Sequence, residues 1–518
     1  LEPPTSTGQQ TLAQMSPALA REAIAVNEVK SHQMYTVVLG NPPYSGVSSN
    51  QNDWINGLLK GQTSTVTREA NYYEVDGKSL GERKIWLKDD YVKFMRLAHM
   101  LIGKSGYGVH AMITNHSFVD SPTCRGMRYQ LASFYSSVHV LDLHGSTKKG
   151  EIPPDGSADD NVFDILPGVA VGIFSRSKLA PTFSVCTYDL WGTRATKFDW
   201  LSENSIEQIE WADIEAVEPY YLFVERNVDN AGEYNSYQSL KDIFPSYGTG
   251  IQTSRDAFAV DSDIETLRTR LREFFNPRIS DESMRNKYGL KDTRGWKMEG
   301  IRRLSSFEEV DSKITNVIFR TFDSRWTPLT KAVVDWPREE VMGSVGRDRL
   351  GLLCSRQQAV SGFRHALVVD APADMFCISN KSREGQTLFP LFVDVAGDLL
   401  SGNKESKQPN LGSCAIRFIH DRIRPGDIGK PDIAITADEA NRFFFYVYAV
   451  LYSSTYRNRY VDLLKMDYPR IPMDPSRSLV DALSVFGQQL VLTHTFDSKV
   501  FGEKLTTPTR TDELEIEK

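Results

Sequence analysis

Four consecutive residues, Asn41, Pro42, Pro43 and Tyr44, form the arrangement in this sequence with the most specific chemistry. They follow a β-forming stretch containing Tyr35, Val37 and Val38, which reads as a short buried strand. Two prolines lack N–H groups and fix φ, so neither a helix nor the strand ladder continues through them. The result is a stiff loop at the C-terminal end of a strand, the place where open α/β sheets bind ligands. There the Asn41 side-chain carbonyl and the Pro42 main-chain carbonyl act as two fixed acceptors. Aimed at the hydrogens of an exocyclic amine on a nucleobase, they draw its nitrogen toward tetrahedral geometry and localise a lone pair otherwise delocalised into the ring. The Tyr44 ring can stack on a base taken out of its helix, offsetting part of the roughly few kcal/mol that flipping costs. The plainer reading of the same residues is a proline turn with no ligand.

The flanking sequence supplies elements to hold that loop. Apolar positions at helical spacing over residues 11–33 (Leu12, Met15, Leu19, Ala23, Ile24, Val26, Val29) predict a helix leading into the strand at 35–39. A polar loop runs to about residue 85, and DDYVKFMRLAHMLI predicts a helix from Asp89, a plausible cap, to Ile102. GKSG ends it, and YGVHAMIT (107–114) reads as a second strand. A helix around 123–135, a third strand in SVHVLDLHG and a fourth in GVAVGIFSR (168–176) follow. This alternation predicts a doubly wound α/β layer with four visible strands, small for such a domain. Beyond about residue 180 the pattern becomes irregular and aromatic-rich. A boundary is expected between 180 and 235, dividing a region 1–200 from a region 201–500 and a tail 501–518. Helices are expected over Asp438–Ser453, again over Thr455–Met466, and over Leu479–Thr493.

Composition narrows the class. The 518 residues are 40% hydrophobic and 25% charged, as in globular proteins, and no run approaches the roughly 20 apolar residues of a membrane span. LEPPTSTGQQ has neither the basic nor the apolar part of a signal peptide, and the missing initiator Met fits a processed chain or a fragment. Five scattered cysteines without a CxxC suit a reducing cytoplasm. Nine histidines show neither HExxH nor a Cys/His cluster at ligand spacing, so no metal site is expected. His110, His116 and His144 near strand ends read as structural or surface residues rather than catalysts. The net charge of −7 argues against coating nucleic acid by bulk charge, yet residues 266–303 are locally basic. That stretch fits a DNA groove or a solvated helix face equally well.

The strand followed by NPPY resembles the adenine-N6 DNA methyltransferase family. The resemblance implies the C-terminal half of a Rossmann-like methyltransferase sheet, with S-adenosylmethionine as methyl donor and Asn41, Pro42, Pro43 and Tyr44 as catalytic residues. It further makes Phe163, in DNVFDILPGVAVGIFSR, the second aromatic wall of the base site; the other reading is a core Phe before a buried strand. The family's Gly-rich cofactor loop (DPxxGxG) and acidic residue have no counterpart upstream of residue 40, so the main S-adenosylmethionine loop is expected elsewhere, in a missing N-terminal half of the same or another chain.

GTGIQTSRDAF (248–258), VIFRTFDSRW (317–326), FPLF (389–392) and FFFYVYAVLYSSTYRNRYVDLLKMDYPRIP (443–472) are similar to the C-terminal specificity region of type ISP single-polypeptide restriction–modification enzymes. The likeness covers residues 35 to about 495. It implies a mixed α+β target-recognition domain with C-terminal helices that acts on double-stranded DNA. In this group one chain joins nuclease, translocase, methyltransferase and recognition domains; no nuclease, Walker A or helicase motif occurs here. Independently, Arg255 sits in a Gly/Ser/Thr loop able to approach phosphate, and Arg320 and Arg325 flank aromatics in a strand-like segment. Arg356, Arg364 and Lys381 follow in a polar stretch. Each can reach guanine or the phosphate backbone, or can serve an internal ion pair. The Phe/Tyr run at 443–452 reads as helix core rather than a stacking platform.

The leading expectation is therefore the base-modifying and target-recognising part of a DNA methyltransferase from a restriction–modification or anti-phage system. The alternative is a DNA-specificity subunit whose methyltransferase-like domain is inert. A methyltransferase acting on RNA or protein is a third reading, disfavoured by the large, locally basic second region.

Overall fold

A computed structural model describes residues 21–22, 25, 28–29, 33–44, 48, 51–62, 70–80, 85–147, 151, 153–178, 183–225, 230–293, 295–346, 349–357, 363–379, 385–395, 406–424 and 434–496. The chain divides into two compact units, Leu1–Asn227 and Val228–Lys518.

In the first unit β1 (Val37–Gly40) leads through the short helix α1 (Asp53–Leu59) to α2 (Asp90–Ser105). Asp89 starts α2 by accepting the Asp90 N–H, and Gly106, in the left-handed conformation at φ 77°, ends it. Its buried stripe (Val92, Met95, Ala98, Ile102) covers the sheet core together with Phe118, Met127, Leu131, Val138, Val140 and Phe174. Strand β2 (Gly108–Asn115) then pairs in parallel with β1, placing Gly40 opposite Met112. Helix α3 (Arg125–Phe134) crosses to β3 (Ser137–Asp142), and β4 (Val169–Arg176) returns antiparallel between β2 and β3.

Two further strands complete a six-stranded mixed sheet. β5 (Ser184–Asp189) runs parallel to β3, and after α4 (Arg194–Glu203) the three-residue β6 (Ala212–Ile214) pairs with β5. The order is β1-β2-β4-β3-β5-β6. The sequence pattern showed four of these strands. It missed β5 because only Val185 and Thr187 are buried along it, and β6 because three residues carry no period. β6 extends the first unit's sheet and Phe223 enters its core. Strand β1 also differs from the buried strand expected. Val37 is 58% and Leu39 73% exposed, because β1 is the edge strand and pairs only with β2 among the described residues.

The second unit is α+β. A four-stranded antiparallel sheet has the order β7 (Gly248–Thr249), β12 (Gln386–Pro390), β10 (Gly351–Ser355), β11 (Ala366–Val369); a separate hairpin joins β8 (Ile314–Arg320) to β9 (Asp323–Pro328). Helices α5 (Ile264–Phe274) and α6 (Asp281–Tyr288) close a small core around Trp296, Phe258 and Leu271. At the C-terminal end α7 (Ala437–Tyr452) begins with a Thr436/Glu439 capping box, continues after a break into α8 (Ser454–Arg459), and packs on α9 (Arg477–His494). The α7–α9 approach is close enough that a Cβ on Gly487 would overlap the Phe445 carbonyl. Phe443, Phe444, Tyr446 and Tyr448 are all buried, so the aromatic run is helix core, as its period indicates. The Tyr452 hydroxyl donates to Ala366 O at 2.8 Å, which ties α7 to β11.

Candidate functional site

The C-terminal ends of β1, β2 and β3 lie along one edge of the first unit's sheet, and the start of β4 meets them there. Asn115 faces Val169 and Asp142 faces both Ala170 and Asp189. Asn41 follows β1 directly at this edge. It is exposed and has no hydrogen-bond partner among the described residues, while Pro42 is buried, Pro43 exposed and Tyr44 half-buried. Pro42 therefore anchors the loop and leaves the Asn41 amide available.

Tyr44 is turned back onto the sheet. Its hydroxyl donates to Ile113 O at 3.2 Å, and burial pushes the phenol up to about 12, so it remains a neutral donor. Its ring meets Phe163 with centroids 5.5 Å apart and planes inclined by 54°. Leu141, Leu143, Val162, Val169 and Leu190 make the apolar floor on which both rings pack. The tertiary fold thus brings together the two aromatics predicted from separate segments.

Asn161, which the sequence did not single out, positions Phe163. Its Oδ1 accepts the Phe163 N–H at 2.9 Å, and its Nδ2 donates to Gly145 O, Ile165 O and Pro167 O at 3.1, 3.2 and 2.7 Å. Gly145, at φ 78°, allows this approach: a Cβ there would sit 2.4 Å from the Asn161 Cα. A second fastening is the buried Lys197, whose ammonium donates to Leu143 O, Asp159 Oδ1 and Asp160 O at 2.7, 2.6 and 2.7 Å. Asp159 also accepts the N–H groups of Gly145 and Gly192. A single Lys on a helix of mixed composition gives no sequence signal for this role.

The histidines near strand ends separate. His110 is a core residue, stacked on Phe174 at 4.9 Å and hydrogen-bonded to the Tyr135 hydroxyl; burial drops it to about 3. His116 and His144 are buried at the sheet edge among carboxylates. Asp164 is exposed and pairs with Arg194 at 2.7 Å.

In the second unit the arginines named from sequence have distinct surroundings. Arg255 lies over the Trp296 ring at 3.8 Å and donates through one nitrogen to Thr253 O and Val333 O, at 3.1 and 2.8 Å. Burial lowers its pKa. Arg320 and Arg325 lie 3.9 and 4.5 Å from the Phe319 ring centroid and pair with Asp374 and Asp323. Arg356 pairs with Asp467 at 2.9 Å, and Arg364 is exposed. Lys381 lies outside the described residues. Much of the basic stretch 266–303 is neutralised within the unit: Arg268 by Glu265 and Asp311, Arg270 by Asp261, Arg285 by Asp292, Lys287 by Glu273 and Arg302 by Asp281. Arg278, Lys291 and Arg303 stay exposed. Among the described residues no helix is long and apolar enough to cross a membrane.

No curated protein matches the sequence significantly. Solved structures do match. A cryo-EM structure of a DrdV–DNA complex shares 21% identity with a TM-score of 0.65, covering 92% of this chain and 46% of that one. The ATP-dependent Type ISP restriction-modification enzyme LlaBIII bound to DNA matches at 21% identity and a TM-score of 0.65, covering 92% and 31%. A nuclease-deletion mutant of the Type ISP enzyme LlaGI in complex with a DNA substrate mimic matches at 20% and 0.64, covering 92% and 43%. These likenesses show a shared fold, and this chain spans less than half the length of each of those proteins. Residues 242–518, more than half of the chain, match the Type ISP C-terminal specificity domain, and the protein accordingly belongs to that family.

Proposed function

We propose that this chain is the base-binding and target-recognition part of a DNA adenine-N6 methyltransferase within a restriction–modification or anti-phage system. The observation that carries the reading is the exposed Asn41 amide at the strand-end edge, in the same sheet edge as the Tyr44–Phe163 pair. A flipped adenine seated there would offer its amino hydrogens to Asn41 Oδ1 and Pro42 O and its face to an aromatic ring. Neither acceptor needs to ionise, so the residues orient and polarise the amine, and its proton leaves after the nitrogen has been alkylated.

S-adenosylmethionine, when bound, supplies the methyl group. The chain's own residues fit its approach in one respect: among the described residues β1 is an edge strand, so its outer backbone edge beside Asn41 is open to pairing with the part of a methyltransferase sheet that would hold the cofactor. A missing N-terminal methyltransferase half is the partner proposed for that position, with nuclease and translocase domains in the same or another chain. The second unit is proposed to read duplex DNA, in keeping with its specificity-domain family.

The test is incorporation of labelled methyl groups into duplex DNA by the complete enzyme. Wild-type protein should label target DNA, and Asn41→Ala should abolish labelling while DNA binding persists. DNA binding without methylation in the wild-type enzyme would favour the alternative of a specificity subunit with an inert methyltransferase-like domain. Preferential binding and labelling of RNA would reject the DNA reading.

A further inference from the structure

We infer that the first unit binds one divalent transition-metal ion of the zinc type through His116 Nε2, His144 Nδ1 and the Glu151 carboxylate. This goes beyond the proposed methyl transfer and does not depend on it. The ligand-capable atoms of these three residues all lie within 4.8 Å of one another. Glu151 reaches both rings, with Oε1 3.9 Å from His116 Nε2 and Oε2 3.8 Å from His144 Nδ1. In a tetrahedral zinc site with bonds of about 2.0–2.1 Å, neighbouring ligand atoms are about 3.3 Å apart. Each Glu151–imidazole separation closes by roughly half an ångström, and the widest ligand–ligand separation, at most 4.8 Å, by up to roughly 1.5 Å.

The surroundings are those of a metal centre rather than of a chance contact. Each imidazole is gripped at its other nitrogen by a carboxylate: Asp142 Oδ1 is 3.3 Å from His116 Nδ1, and Asp189 Oδ1 is 2.9 Å from His144 Nε2. Such outer carboxylates fix the tautomer and turn the free nitrogen toward the ion. His144 Nδ1 is that free nitrogen, buried and without a hydrogen-bond partner, in a residue only 8% exposed. Trp191 stacks on the His144 ring at 3.4 Å and 10°, and the Asp142 carboxylate accepts the His144 backbone N–H. Gly168 makes way for the other ring, since a Cβ there would lie 2.6 Å from His116.

Charge and ligand type select the ion. Asp142 is buried, Glu151 mostly so and Asp189 half-exposed beside the two imidazoles, and a dication offsets the carboxylate charge that is withdrawn from water. Magnesium and calcium prefer all-oxygen shells, whereas two imidazoles and one carboxylate suit zinc and its neighbours. The Glu151 side chain is 18% exposed, so water can enter a fourth position. The ion would join the ends of β2 and β3 to the β3–β4 connection that carries Phe163.

The test uses the 518-residue chain, stripped with chelator, loaded with zinc chloride, passed through gel filtration and assayed for metal by mass spectrometry. About one zinc per chain should be retained, and cobalt loading should give the visible absorption of a nitrogen/oxygen site. Glu151→Gln and His144→Ala should each weaken zinc binding at least tenfold, whereas Asp164→Asn, in the same connection but outside the cluster, should keep it. Circular dichroism checks folding, and Glu151→Gln, at the partly exposed ligand, guards against loss through misfolding. A chain that retains no zinc, or one that retains it equally well with Glu151 and His144 both replaced, overturns the inference. Such a result would make the cluster a metal-free hydrogen-bonded network and would leave the Asn41 reading untouched.

Discussion

Tyr44 and Phe163, far apart in the sequence, meet at 5.5 Å between ring centroids, one held by the Ile113 carbonyl and the other by the Asn161 side chain. A tilt of 54° leaves the rings splayed rather than stacked face to face. Each has an apolar neighbour behind it, and both sit at the strand-end edge beside Asn41. That relationship gives the proposed base site its aromatic wall.

Phe163→Ala in the complete enzyme is expected to reduce methylation more than DNA binding. Stacking of a base on an aromatic ring contributes about 1–3 kcal/mol, so capture of the extruded adenine should fall by a factor of roughly five to a little over a hundred. Fluorescence of 2-aminopurine at the target position reports it directly. Unchanged base extrusion in Phe163→Ala would remove this residue from the site and leave it as core packing.

Lys197 is fully buried and pairs with an equally buried Asp159. Lys197→Ala leaves that carboxylate and two carbonyls without their donor, at a cost of about 3–5 kcal/mol. Lys197→Met, which fills the space without leaving it hollow, should still be strongly destabilising because the buried Asp159 side chain and two carbonyls lose the ammonium donor. Urea unfolding measures both. A loss under about 1 kcal/mol in both variants would show that water replaces the ammonium.

Acid stability should report on α7. Arg424 clasps both Glu439 oxygens at 2.7 and 2.9 Å, and these hydrogen bonds hold the carboxyl down at about 2 against the opposing effect of burial. The folded-state value lies below the unfolded one, so the unfolded chain binds more protons in between and stability rises with pH there. The contribution is complete above pH about 4.5 and is lost as pH falls toward about 2. It amounts to at most about 3 kcal/mol. Glu439→Gln should flatten the dependence of the urea midpoint on pH across that window; parallel curves for variant and wild type would refute the assignment.

The arginines of the second unit should divide by their surroundings. Arg364, exposed, is expected on the phosphate-contact side: Arg364→Ala should lower the slope of log K against log salt by about 0.9. Arg320 is committed to Asp374 and to the face of Phe319, so Arg320→Ala should lower the unfolding midpoint and leave the salt slope unchanged. Filter binding at several salt concentrations separates the two, and a reversed pattern would exchange their roles.

Much of the local structure was legible from the sequence because it is decided locally. Asp89 and Gly106 bracket α2, two prolines end β1, and the 3.6-residue period of the Phe/Tyr run marks α7 as buried. The identity of the Asn41–Tyr44 loop rests on the same kind of information, since adjacent residues fix its stiffness and its acceptors. What the tertiary structure alone decided are relationships between distant strands. β4 enters between β2 and β3, and that insertion sets Val169 against Asn115 and Ala170 against Asp142. Phe163 reaches Tyr44 only by this route. His116, His144 and Glu151 show no ligand spacing along the chain, yet the ends of β2 and β3 and their connection carry them to one point. The fate of each arginine likewise depends on which acid the fold sets beside it. Periodicity and turn chemistry act over a few residues, whereas strand order, and with it every long-range pairing of charges and rings, is settled by burial of the whole sheet.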